Sequence, residues 1–226
     1  SSWRPDVSIN EDIVEEVVRI YGLNNIKSEP LFNDQQPSKS ILTNKQKNLR
    51  LIRRIIASRG LLETISYSFI NEQDAIDYGG GINSLKVLNP ISEELSDMRP
   101  TPLASIINTA DENSKRGYSD LGIFELGPGF SGKNTDDQII IAAGIRTGSY
   151  RLEGYGKDWQ GYKNVDVFDA KKDVISVLEE LGVNNQKIKI KESAPKYYHP
   201  GRSGQILTEK GNIVANFGEI LSLIHI

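Results

Sequence analysis

Four carboxylates near the start of the chain are the residues whose spacing best suits chemistry. Asp12, Glu15 and Glu16 stand at i, i+3 and i+4, which places them on one face of a helix. Asp6 lies just upstream, where an extended segment can fold back towards that face. Converging carboxylate oxygens suit a hard cation such as Mg²⁺, which keeps its waters and takes few protein ligands. The same spacing has a plainer use. Acids in a first turn favour the helix dipole, and Glu15 to Arg19 is an ordinary i, i+4 ion pair. The residues alone leave both readings open.

Other constellations are weaker. Lys45, Lys47, Arg50, Arg53, Arg54 and Arg59 fall on one helical stretch, either a phosphate-facing or partner-facing surface or a solvated face opposite an apolar stripe. The net charge of −3 favours the solvated face. Gly79-Gly80-Gly81 and Leu126-Gly127-Pro128-Gly129 match neither phosphate-loop pattern and read as turns. His199-Pro200-Gly201-Arg202-Ser203 presents a His and an Arg on a loop, with no third member to make a triad. The chain has no cysteine and two histidines, which excludes thiolate metal sites and gives a zinc hydrolase little support. No apolar run nears the roughly 20 residues a bilayer span requires, so no membrane partner is expected.

The elements that must position these residues are legible as patterns. Asn10 is a natural N-cap for a helix carrying Ile13, Val14, Val17, Val18 and Tyr21, closed by Gly22. Residues 27–40 carry two prolines and no periodicity, as a linker would. Thr43 with Gln46 forms a capping box for a helix ending at Gly60. The alternation from Thr64 to Ile70 predicts a strand with one buried face. A short helix follows from Asn71, a strand at Leu85–Leu88, and a helix from Pro102 to about Asn113. Strands are expected at Leu121–Leu126 and Ile139–Ile145, then a Gly- and Tyr-rich loop, then a helix capped by Asp169 and closed by Gly182. The tail reads as strands at 187–191, 204–208 and 213–218, the last two joined by a turn at 209–212. Strands joined by turns pair antiparallel, so the class is α+β with an antiparallel sheet flanked by helices. Lacking an initiator Met, with Trp3-Arg4-Pro5-Asp6 at its start, the chain is expected to be a piece of a longer protein.

These stretches resemble the β subunit of bacterial phenylalanyl-tRNA synthetase. The likeness runs through Ser2-Trp3-Arg4-Pro5-Asp6-Val7 with residues 11–26, then Ile65-Ser66-Tyr67-Ser68-Phe69, then Leu88-Asn89-Pro90-Ile91-Ser92 leading to Met98-Arg99. It continues at Ile123-Phe124-Glu125-Leu126-Gly127, Val167-Phe168-Asp169-Ala170-Lys171, His199-Pro200-Gly201-Arg202-Ser203 and Phe217-Gly218-Glu219. The resemblance implies three parts. Residues 1–27 would end a helical DNA-binding-like domain, 28–42 would be a linker, and 43–226 a catalytically silent domain folded like a class II synthetase core. It further implies packing on a catalytic α subunit in a cytoplasmic (αβ)₂ heterotetramer that attaches phenylalanine to tRNA(Phe) with ATP. DNA is not an expected partner. Family metal ligands match Asp6, Asp12, Glu15 and Glu16, and Mg²⁺ is the implied ion.

No catalytic residue is expected in this chain, and ATP is not expected to bind it. Class II activation needs an Arg after the strand of the second signature motif, and Phe124 to Gly132 contains none. The family also continues Phe-Gly-Glu with Leu-His-Pro, whereas here Ile220 to Ile226 follow, and His225 is given no role. Two alternatives stand beside this reading. One is a self-sufficient adenylate-forming ligase; the other is an RNA-binding module built on the basic helix at 45–59.

Overall fold

The computed structural model describes residues 3–29, 40–149 and 163–221. The chain divides into two units, Ser1–Ile41 and Leu42–Ile226. The first holds helix α1 (Asn10–Tyr21) and a 3-10 turn at Leu23–Asn25. Asn10 lies inside the helix instead of capping it, and the flanking Ile9 has no polar side chain to offer. Asp12 does the capping from within, accepting from the backbone N–H of Ser8 at 2.7 Å and of Ile9 at 2.9 Å. Gly22, at φ +96°, ends the helix and donates its N–H to the carbonyl of Val18. No residue of α1 is buried, although Ile13, Val14, Val17 and Tyr21 form an apolar stripe.

The second unit starts with α2 (Asn44–Ser58) on the expected capping box: Gln46 N–H donates to Thr43 Oγ1 and Thr43 N–H to Gln46 Oε1. Short strands β1 (Leu62–Glu63) and β2 (Phe69–Ile70) follow, then α3 (Glu72–Asp77), capped by Asn71. Strand β3 (Asp97–Met98) leads to α4 (Pro102–Lys115), whose Thr101 cap and Pro102 set its first turn. Next come the long hairpin β4 (Leu121–Phe130) and β5 (Gln138–Thr147), helix α5 (Val167–Glu180), and β6 (Ile188–Lys191), β7 (Tyr198–Thr208) and β8 (Ile213–Ile220).

The strands do not form one antiparallel sheet. They fall into three small ones, ordered β1-β4-β5, β2-β3 and β6-β7-β8. The β1–β4 pair is parallel, with Leu62 opposite Ile123, while every other strand pair is antiparallel. Helix α4 covers the β4–β5 hairpin, burying Ile106 and Ala110 with Ile123. Helix α5 covers the last sheet, where Leu178, Ile206 and Phe217 are buried together. Asp173 of α5 takes Arg146 of β5 at 2.7 Å and also holds Arg59 at the end of α2, tying three elements with one carboxylate.

The run 64–70 is not a continuous strand, and side-chain chemistry explains the break. Ser66 Oγ donates to Glu125 Oε2 at 2.5 Å and accepts from Arg99 Nη1 at 2.8 Å. Ser68 gives its carbonyl to the Arg99 N–H. The middle of the run is thus held by a buried arginine and its partner. Arg99 is 1% exposed and Glu125 4%. Their Nη2–Oε1 contact is 2.6 Å, and Arg99 also donates Nε to the Pro128 carbonyl at 3.0 Å. Close packing explains the glycines of Leu126-Gly127-Pro128-Gly129, which lie within β4 and are not a turn. A Cβ on Gly127 would stand 2.5 Å from Arg99 Nη2, and one on Gly129 2.5 Å from the Pro100 carbonyl oxygen.

Other expectations are corrected in the same way. The strand expected at Leu85–Leu88 is a 3-10 turn at Asn83–Leu85 followed by a single bridge, Lys86 to Asp97. The cap of α5 is Asp166, whose Oδ1 accepts from Phe168 and Asp169 N–H; Asp169 is the N3 partner of that box. Gly79 and Gly81, both at positive φ, do form a turn after α3. Most of the linker, much of the Gly- and Tyr-rich loop and residues 222–226 with His225 lie outside the described residues.

Removing one member of a buried ion pair leaves the other charge uncompensated, which costs about 3–5 kcal/mol. Arg99→Leu is therefore expected to lose roughly that much stability in chemical denaturation, whereas the double change Arg99→Leu, Glu125→Leu loses less than the single one. A double variant as unstable as the sum of the singles would show that the pair is not the organising contact.

Candidate functional site

The four carboxylates of the first unit are not gathered around one point. Arg4 donates Nε to both oxygens of Asp6, at 3.0 and 3.1 Å, and Nη2 to Asp6 Oδ2 at 2.8 Å. The same Nη2 lies 2.7 Å from Glu16 Oε1, while Arg19 Nη2 lies 2.7 Å from Glu16 Oε2. Asp6 and Glu16 thus share one guanidinium, and Arg19 pairs with Glu16 at i, i+3 and not with Glu15. Asp12 is turned to the helix cap, and Glu15 is exposed.

Charge follows contact. Hydrogen bonds from Arg4 lower the Asp6 carboxyl below the usual carboxylate range, and those from Arg4 and then Arg19 lower Glu16. Asp12 is lowered by the N–H groups of Ile9 and Ser8. Among the described residues no group of three or more His, Cys, Asp or Glu is arranged to hold a metal. In this arrangement Arg4 supplies the positive charge that a cation would bring to Asp6 and Glu16.

In the second unit an open cleft of about 390 Å³ lies between the turn after α3 and the end of β4. Tyr78, Ile82, Pro100, Phe130, Ile141 and Tyr197 line it, and no charged side chain does. The ring of Tyr197 packs at 5.2 Å from Tyr78 and 4.9 Å from Tyr198, and burial raises all three phenols above their ordinary range. Arg202, expected on a loop with His199, sits in β7 and pairs with Glu219 of β8, Nη2 to Oε1 at 2.8 Å. The His199 ring nitrogen Nδ1 accepts from Gly201 N–H at 3.1 Å.

The feature that sequence reasoning left undirected is the alternation at 64–70. Its periodicity holds, but the polar side faces in. Thr64, Ser66 and Ser68 are half-buried, whereas Ile65 is 92% exposed and Tyr67 76%. In the loop that leads to β3, Leu88 and Ile91 are as exposed, at 100% and 97%. Val87 N–H bonds to the Ser96 carbonyl beside β3, and Phe69 of β2 pairs with Met98, so both stretches run alongside the β2–β3 pair.

The chain is similar in fold to an aminoacyl-tRNA synthetase: it superposes on pyrrolysyl-tRNA synthetase of Desulfitobacterium hafniense with a TM-score of 0.53, covering 91% of this chain and 64% of that one at 10% identity. Residues 31–224 match the model of the phenylalanyl-tRNA synthetase β-chain CLM domain, and the chain belongs to that family. It is 43% identical over 219 residues to the phenylalanine–tRNA ligase β subunit of Bradyrhizobium diazoefficiens, covering 97% of this chain and 27% of that protein. The corresponding subunits of Mesorhizobium japonicum and Bartonella henselae are 41% and 42% identical, each over 96% of this chain and 27% of the relative. The chain thus spans about a quarter of the length of these relatives. Among the described residues no helix is long and apolar enough to cross a membrane.

A carboxyl group with a lowered folded pKa contributes stability above its unfolded value, about 4, and loses that contribution as pH falls through the folded one. Asp6, Asp12 and Glu16 should therefore titrate low in a carboxyl-carbon NMR experiment on the chain. In Arg4→Ala the midpoints of Asp6 and Glu16 are expected to rise while that of Asp12 stays, because only the first two depend on Arg4. Equal movement of all three would contradict the arrangement.

Proposed function

We propose that the chain is a non-catalytic part of a phenylalanine–tRNA ligase β subunit. In this reading it buttresses a catalytic α subunit within a cytoplasmic (αβ)₂ assembly that attaches phenylalanine to tRNA(Phe) with ATP. Leu42–Ile226 would be a silent class II core, and the unit before it the end of a helical module. The observation that carries the reading is the inverted alternation at 64–70. Ile65 and Tyr67, with Leu88 and Ile91, leave large apolar side chains in water, which a soluble surface seldom does in concentration unless a partner covers them. The silence is supported by the arginines. Arg99 is spent on Glu125, Arg146 on Asp173 and Arg202 on Glu219, and the cleft carries no charge for a nucleotide.

Co-expression with a cognate α subunit tests this reading. The wild-type chain is expected to copurify, and Ile65→Asp, Tyr67→Asp to reduce recovery at least tenfold with its own melting unchanged, since both side chains are exposed. Undiminished copurification would remove these residues from the interface, and detectable ATP–pyrophosphate exchange by the chain alone would end the silent reading.

Ligation of Mg²⁺ by Asp6, Asp12, Glu15 and Glu16 belongs to the same proposal. It is supported by the residue types and by the shared helix, not by the arrangement, in which Arg4 occupies the carboxylates. Calorimetric titration with Mg²⁺ or Mn²⁺ is expected to show binding that Asp12→Ala, Glu16→Ala abolishes and Arg4→Ala strengthens. Equal binding by all three proteins would withdraw the assignment.

A further inference from the structure

We propose that the uncharged cleft of the second unit is a binding site for a small, neutral aromatic amide. Its volume of about 390 Å³ lies at the lower end of the roughly 300–1,000 Å³ usual for small-molecule sites. Separate stretches of the fold supply its walls: the turn after α3, the end of β4 with Ile141 of β5, and Tyr197 with Asn216 of β8. Gly79 and Gly80 make one wall of bare backbone. Gly79 takes φ +93°, and a Cβ on Gly80 would stand 3.1 Å from the Ala75 carbonyl oxygen and 3.2 Å from Pro100 Cγ. A flat ring can lie against such a wall, and Tyr78, Tyr197 and Phe130 offer it aromatic surface.

A hydroxyl without a partner separates this cleft from a chance gap between elements. Tyr78 is only 5% exposed, yet its phenol makes no hydrogen bond to any described residue. Nor is that oxygen sealed in the core, so it reaches solvent, and the cleft that Tyr78 lines is its opening. Burial, and then Asp74 and Asp77, hold the phenol above its ordinary range, so it keeps its proton and can donate.

The other polar groups on the walls decide what it donates to. Asn216 accepts from Gln205 Nε2 through Oδ1 at 2.9 Å, which leaves its amide nitrogen to donate. Thr101 Oγ1 accepts from Leu103 N–H at 3.3 Å and keeps its own hydrogen. Ser131 is the reverse: its hydroxyl donates to the Asp137 carbonyl at 3.1 Å and keeps lone pairs for a further donor. A wall rich in donors with one free acceptor suits a carboxamide, whose oxygen accepts twice and whose nitrogen donates. No charged side chain is among the described residues lining the cleft, so a carboxylate, phosphate or ammonium would lose hydration there without return. That sets free amino acids and nucleotides aside. The inference uses the cleft alone and does not rest on the β-subunit reading.

The test is saturation-transfer NMR on the 226-residue chain with benzamide as the probe and benzoate and cyclohexanecarboxamide as controls. For a probe of this size a Kd of about 1 mM is expected. Benzoate should bind about tenfold more weakly because its charge is unmatched, and cyclohexanecarboxamide likewise because its ring is not flat. Tyr78→Phe is expected to weaken benzamide about three- to tenfold with Tm unchanged, since the hydroxyl removed bonds to no described residue. Ile82→Trp, at a rim position 45% exposed, should fill the cleft and abolish the signal. No benzamide binding at its solubility limit would overturn the proposal. So would benzoate binding equally well, or both variants binding like the wild type. A fall in Tm for Tyr78→Phe would place the hydroxyl within the fold's own bonding and overturn it too. Displacement of benzamide by a purified α subunit would make the cleft a protein contact instead. The interface reading at Ile65 and Tyr67 is decided separately, by copurification.

Discussion

A guanidinium buried among polar groups fixes the geometry of the second unit. Arg99 reaches the carboxylate of Glu125 in β4, the hydroxyl of Ser66, and the carbonyl of Pro128. Its own N–H bonds to Ser68, and its carbonyl accepts from Phe130. A single residue thereby joins β4 to the run before β2, directly after β3. A charge so enclosed is tolerable only when every donor finds a partner, so the surrounding backbone has little freedom to shift. The absence of a side chain at Gly127 follows from the same crowding.

That enclosure also decides which way the 64–70 run faces. Had the alternation been set by hydrophobicity alone, Ile65 and Tyr67 would lie inside. The polar pocket around Arg99 claims the opposite side of the run, and the apolar residues are turned to solvent in consequence. Interior electrostatics and exterior stickiness are thus one fact seen from two sides. The same tension is absent from α2, whose apolar residues reach the core and whose cations are left outside.

Much of this was legible in the residues. The capping box at Thr43–Gln46 is a local signal and appears as read, and the short helix read from Asn71 starts one residue later, with Asn71 as its cap. The helices α4 and α5 and the long hairpin follow from periodicity. What was not legible depended on distant partners. Nothing local distinguishes Gly127-Pro128-Gly129 in a strand from the same residues in a turn; the difference is distant partners, Ile139 to Ile141 of β5 opposite them and Arg99 bonded to the Pro128 carbonyl. Nor does helical spacing reveal that Arg4 would claim Glu16 across twelve positions, so that acids expected to converge are divided among a guanidinium, a helix cap and solvent. The two aspartates at 166 and 169 show the intermediate case, where the helix was clear and the capping member was misassigned by one box length.

The parallel pairing of β1 with β4 has a consequence in time. Leu62 meets Ile123 only after some sixty further residues exist, whereas β4 and β5 are joined by a short connection and can zip locally. During synthesis the run from Leu62 to Ile70 therefore waits, its apolar side in water and its polar side without Arg99 and Glu125. Such an interval favours self-association of nascent chains, because unpaired apolar segments are what aggregates recruit.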